Sequence, residues 1–153
     1  MAITIVSGGQ TGVDRAALDA ALAAGAPIGG WVPKDRLAED GAIPDSYQGL
    51  RETDSRDYAV RTTLNVRDSD ATLIVSRGPL SGGSLFTREE CLRIGRPVLH
   101  IDLARLSPAE AVDIVRRWLA ATRPTVLNVA GPRASNDPDL GALAFALVRD
   151  LLT

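Results

Sequence analysis

Three stretches of the chain combine glycine with small hydroxyl or basic residues, a composition suited to holding a negatively charged group. They are Ser7-Gly8-Gly9-Gln10-Thr11-Gly12, then Gly82-Gly83-Ser84 with Thr87 close behind, and Gly131-Pro132-Arg133-Ala134-Ser135. Glycine lets the backbone approach a ligand and adopt positive φ. Where such a loop opens a helix, free N–H groups and the positive end of the helix dipole face the same point. Asp14 and Arg15 fall just inside the helix that follows the first loop, and Arg133 can offer a planar fork to a phosphate. The chemistry expected is phosphate binding. Ser7 stands where a dinucleotide fingerprint needs its first glycine, and no Gly-Lys-Ser/Thr follows, so NAD binding and ATP hydrolysis find little support.

Other charged residues lie between these loops. Lys34, Asp35, Arg36 and Glu39 fall in a Gly- and Pro-rich stretch over 33–47, and Arg61, Thr62 and Asn65 fall near the start of a later helix. Lys34 and Arg61 join the candidate phosphate ligands. With His100 the sole histidine and Cys91 the sole cysteine, a metal cluster or a histidine-based triad lacks partners, and an internal disulfide is excluded. Cys91 reads as a small core residue, while Trp31 and Trp118 read as core or interface groups.

The elements that must position these residues alternate. Short apolar runs over 2–6, 28–32, 50–53, 71–76, 97–101 and 125–130 read as strands. Helical spacing is expected over 13–24, 57–67, 82–94, 108–121 and in a last helix capped by Asn136 or Asp137 before Pro138. Gly25 and Gly95 supply stops, and Ser107-Pro108-Ala109-Glu110 reads as a capping box. Residues 33–47 read as a long surface loop, a length often tied to function. Strand and helix in alternation predict an α/β, three-layer Rossmann-like domain with a mainly parallel sheet flanked by helices. In such sheets ligands bind beyond the carboxyl ends of the strands, where the glycine loops fall.

Length and composition fit that expectation. The 153 residues suit one domain spanning 1–153, and 45% hydrophobic with 24% charged residues is a globular balance. A net charge of −2 and few aromatic residues argue against nucleic acid as the main partner. No apolar run approaches the roughly 18–20 residues of a membrane span, and no secretory signal opens the chain, so a cytoplasmic location without a membrane partner is expected.

The run from Ser7 through Gly12 and on to Val13-Asp14-Arg15-Ala16-Ala17-Leu18-Asp19 resembles the opening motif of the molybdenum carrier proteins. So do Gly30-Trp31-Val32-Pro33, Glu39-Asp40-Gly41 and Ile43-Pro44. The resemblance continues through Tyr58, Arg61-Thr62, Asn65-Val66, Ser69-Asp70-Ala71, Gly82-Gly83-Ser84 and Gly131-Pro132-Arg133, covering nearly the whole chain. That family is similar in fold to the LOG-type and DprA-like proteins. The resemblance implies a Rossmann-like fold, a homo-oligomer (dimer or tetramer), and a role in carrying the molybdenum cofactor, a pterin bearing a phosphate. The ligand is then molybdopterin or a nucleotide, a phosphate-bearing small molecule, with no dedicated protein metal site. On this reading Gly8, Gly9, Gln10, Thr11, Gly12, Asp14, Arg15, Gly82, Gly83, Ser84, Thr87, Gly131 and Arg133 surround the ligand.

LOG-type enzymes release a base from a nucleoside monophosphate with an arginine and a glutamate beside a Pro-Gly-Gly-x-Gly-Thr-x-x-Glu loop. Residues 82–90 keep two glycines, a threonine and nearby acids. However, Ser81 stands in place of the proline, and Leu85-Phe86 stand where Gly-Thr would be. A phosphoribohydrolase of this kind is the alternative, with Arg61 holding phosphate and Glu89 or Glu90 acting on the sugar. The departures favour a binding protein without catalysis.

Overall fold

The computed structural model describes residues 3–153. Six strands form a parallel sheet: β1 (Thr4–Val6), β2 (Ile28–Val32), β5 (Leu50–Glu52), β6 (Ala71–Ser76), β7 (Val98–Asp102) and β8 (Val126–Ala130). Their order is β5-β2-β1-β8-β6-β7. Two further strands, β3 (Leu37–Ala38) and β4 (Gly41–Ala42), pair with each other as an antiparallel hairpin. Five helices connect the sheet: α1 (Val13–Ala23), α2 (Tyr58–Asp68), α3 (Gly82–Ile94), α4 (Pro108–Thr122) and α5 (Leu140–Leu151).

Helices α1, α4 and α5 pack together on one face, and α2 packs with α3 on the other. The larger core lies on the first face, where Leu73, Val75, Leu127 and Val129 meet Ala17, Val115, Leu140 and Leu147. β6 is buried along its whole length, the pattern of a strand covered on both sides. The opposite face is different near the strand ends: Ser76 and Asn128 are buried there with Thr62, Asn65, Ser84 and Thr87. A polar interior on one side of a parallel sheet is the setting for a site. No helix among the described residues is long and apolar enough to cross a membrane.

Several expected boundaries shift, each for a visible reason. β1 begins at Thr4, and residue 2 of the expected strand lies outside the described residues. The strand expected over 50–53 ends at Glu52, where the Thr53 hydroxyl bonds the Ser55 carbonyl. α2 begins at Tyr58 because Asp57 caps it, its carboxylate accepting from the Ala59 amide at 2.9 Å. The capping box of α4 forms as expected, with Ser107 and Glu110 bonded reciprocally at 3.1 and 3.2 Å. α5 does not start at Asn136 or Asp137: Asp137 gives its carboxylate to Arg77, and Asp139 occupies the helix start without a side-chain cap. The stretch over 33–47 is not structureless. It holds a 3-10 turn (Lys34–Arg36) and the β3–β4 hairpin, and closes a second core of Leu18, Val32, Ala38, Ile43 and Tyr47. Trp31 is not a core residue: beside edge strand β5, its indole donates to Asp68 at 2.9 Å and Arg51 stacks over its ring at 4.2 Å. Trp118 packs against the larger core.

Candidate functional site

A cleft of about 360 Å³ opens at the carboxyl ends of β1, β8 and β6, three neighbouring strands. This volume lies within the range of small-molecule sites. β8 returns between β1 and β6, so the loops after all three strands meet at one rim. The first turn of α3 and the polar face of α2 close the other side.

The three glycine loops contribute unequally. The first is largely bonded to itself and its neighbours: the Gly9 amide donates to Ser7 Oγ at 3.3 Å, the Thr11 amide to Gln10 Oε1 at 3.0 Å, and the Val13 amide to the Pro132 carbonyl at 3.3 Å. Only Gly8, Gln10 and Asp14 of this region line the cleft. Gly12 is required by packing, since its φ is +81° and a Cβ would lie 2.4 Å from the Pro132 carbonyl oxygen. Gly8 is required by Arg61, whose Nε would lie 2.2 Å from a Cβ there.

The second loop is open. Gly82, Gly83 and Ser84 form the first turn of α3, and among the described residues nothing accepts from their amides; the first amide engaged is that of Leu85, bonded to the Ser81 carbonyl at 3.3 Å. Three free N–H groups therefore end in the cleft with the positive end of a 13-residue helix. The third loop adds Gly131, Pro132 and the exposed Arg133 to the rim. Arg77 joins them, ion-paired to Asp137.

Of the residues singled out from sequence, the fold brings Gly8, Gln10, Asp14, Arg61, Gly82, Gly83, Ser84, Thr87, Gly131 and Arg133 together around the cleft. It places Gly9, Thr11, Gly12, Arg15 and Lys34 outside the lining. Gly9 packs on Ile43, and Arg15 pairs with Asp40 at 2.6 Å while also bonding the Gly9 carbonyl. The Thr11 hydroxyl donates to Glu39, which also accepts from the Ser135 hydroxyl at 2.6 Å. These two hydroxyls, Ser135 first, hold the Glu39 carboxyl below its usual range. The 33–47 segment thus braces the first loop to the third. Lys34 sits exposed on the 3-10 turn, its amide bonded to the Ser55 carbonyl.

Two ionised side chains are buried in the cleft wall. Arg61 is 9% exposed, and its Nη1 donates to the Tyr58 carbonyl at 2.6 Å and to Thr62 Oγ1 at 2.7 Å. Its Nη2 has no acceptor among the described residues. Burial pulls the guanidinium below its ordinary value, with the Asp14 charge opposing. Asp14, in the first turn of α1, is 6% exposed. Burial pushes its carboxyl from 3.8 up to about 6, against the pull of Arg61 and of the Gln10 and Gly131 amides.

The acids of the alternative reading lie elsewhere. Glu89 is exposed and outside the cleft. Glu90 bonds Thr63 at 2.6 Å and pairs with Arg93 at 2.7 Å, Arg93 first among the causes that hold it down to about 2. Neither is placed to protonate a sugar in the cleft, so the hydrolase is not favoured. Ser76 lies 2.6 Å from His100 Nε2, but its hydroxyl donates to the Gly78 carbonyl, while Asp102 accepts from the Gly78 and Ala104 amides. That arrangement secures a turn and leaves no activated nucleophile.

Sequence reasoning missed Ser76, Arg77, Asn128, Asn136 and Asp137 in the lining. Asn128 carried a readable signal, a polar residue within the apolar strand Val-Leu-Asn-Val-Ala. The Arg77–Asp137 pair, 60 residues apart, carried none.

A comparison with curated proteins gives no match. Among solved structures, that of a proposed molybdenum carrier protein from Syntrophus aciditrophicus is similar, with a TM-score of 0.96 and 47% sequence identity over 99% of this chain and 96% of that one. Residues 5–152 match the model of the circularly permuted YpsA SLOG family. The near-complete match in sequence and in fold leads to one conclusion: the chain belongs to the circularly permuted YpsA SLOG family.

Proposed function

We propose that this protein is a carrier that binds the molybdenum cofactor, or a related phosphate-bearing pterin or nucleotide, in the cleft at the ends of β1, β8 and β6. The observation that carries the reading is the first turn of α3. Its Gly82, Gly83 and Ser84 amides converge on the cleft without partners among the described residues, and Arg133 stands across the rim. An anionic phosphate satisfies those donors and the helix dipole together. The likeness to a proposed molybdenum carrier supports the pterin.

Mass spectrometry of small molecules that co-purify with the native protein identifies the cargo. Calorimetry with inorganic phosphate then tests the site. Arg133 is exposed, so Arg133→Ala should weaken binding by about three- to tenfold, the scale of a solvent-screened charged hydrogen bond. Unchanged affinity would remove Arg133 from the site, and the absence of any phosphate binding would remove the site.

A further inference from the structure

The cleft has two chemically opposite ends, and only one is explained by a phosphate. Free backbone donors face inward from the first turn of α3. At the α1–α2 end, the buried Asp14 carboxylate faces the cleft, and a carboxylate can only accept. No side chain among the described residues donates to it. Even with the Gln10 and Gly131 amides beside it, about half of its four acceptor positions stay open.

Arg61 stands nearby, close enough for its charge to act on Asp14, yet the two form no ion pair. Oppositely charged buried groups that face one cavity without touching leave room for something between them. Gln10 Oε1 accepts from the Thr11 and Glu39 amides, which leaves Gln10 Nε2 as a donor on the lining, and Asn65 bonds both the amide and the carbonyl of Trp31. Recognition at this end therefore falls to donors, Arg61 Nη2 with Gln10 Nε2, and an acceptor pair, the Asp14 carboxylate.

We propose that Asp14 and Arg61 together read the 2-amino-4-oxopyrimidine edge shared by pterins and guanine. That edge presents a carbonyl oxygen, a ring N–H and an amino group in sequence. The oxygen suits Arg61, and the two N–H donors suit the carboxylate side by side. An adenine ring presents an amino group and a bare ring nitrogen, which sets a lone pair against the carboxylate. Hypoxanthine keeps the oxygen and ring N–H but lacks the amino group. A site that hydrogen-bonds a polar edge discriminates strongly, because the analogue leaves a buried group unpaired. This inference rests on the reading of the cleft as a phosphate-bearing ligand's site and names the ring that site selects.

Calorimetric titration of the full chain with GMP, IMP and AMP at pH 7.5 tests it, since the three share ribose and phosphate. GMP should bind about tenfold or more tighter than AMP, with IMP between. Asp14→Asn should bring GMP and IMP within about threefold of each other, while inorganic phosphate still competes with both. Arg133→Ala, across the rim from the first turn of α3, should weaken all three nucleotides alike. Equal affinities for GMP, IMP and AMP, or a preference for GMP that survives Asp14→Asn, overturn the inference while leaving the phosphate site standing. If none of the three nucleotides binds while inorganic phosphate does, this inference alone falls; if phosphate does not bind either, both readings fall.

Discussion

Replacing Asp14 with asparagine should stabilise the protein, and by an amount that depends on pH. The buried carboxyl is pushed from 3.8 to about 6 chiefly by loss of water, with Arg61 compensating only in part. At about 1.4 kcal/mol per tenfold change in proton affinity, holding it ionised in the folded state costs on the order of 3 kcal/mol. The folded chain keeps this proton up to pH near 6, whereas the unfolded chain releases it near pH 4. Between those limits the unfolded state binds fewer protons, so the contribution of Asp14 to stability declines as pH rises and its full cost is present above pH 6. Asparagine has the same shape and nothing to ionise. The gain from Asp14→Asn should therefore be near zero at pH 4 and grow to about 2–3 kcal/mol by pH 7.5. Urea denaturation of both proteins at pH 4, 5, 6 and 7.5 measures it. A difference that does not vary with pH, or a variant less stable at pH 7.5, would refute the account of Asp14 as a strained ionised group.

Three further outcomes follow from local geometry and burial. Gly12→Ala forces a side chain into positive φ against a backbone carbonyl that cannot withdraw, and should cost at least about 2 kcal/mol in urea denaturation. Gly83→Ala, in α3 without positive φ, meets open space, so its stability should equal or slightly exceed the parent's; an equal loss of stability in both variants would contradict the distinction. The buried Cys91 thiol, raised above its usual range by burial, should resist thiol reagents until urea unfolds the chain, and rapid labelling of the folded protein would show the helix packing to be looser than described.

Much of this molecule was legible in the chain because it is encoded locally. The alternation of apolar runs with helical periods announced the parallel sheet, Ser107 and Glu110 announced the start of α4, and Gly95 its left-handed turn at the end of α3. The glycine loops pointed to the strand ends, where the cleft lies. What local pattern could not carry was the pairing of distant residues. That β8 returns between β1 and β6, that Glu39 ties the first loop to the third, and that Arg77 takes Asp137 from the start of α5 are outcomes of docking whole elements. The same holds for Asp14 and Arg61, which lie on different helices and come together only when both are buried at one cleft. Residue types and spacing determine which groups are available and which turns the backbone makes. Burial and distance, set only when the sheet is assembled, decide which amides stay free, which charges are strained and therefore which residues a ligand meets.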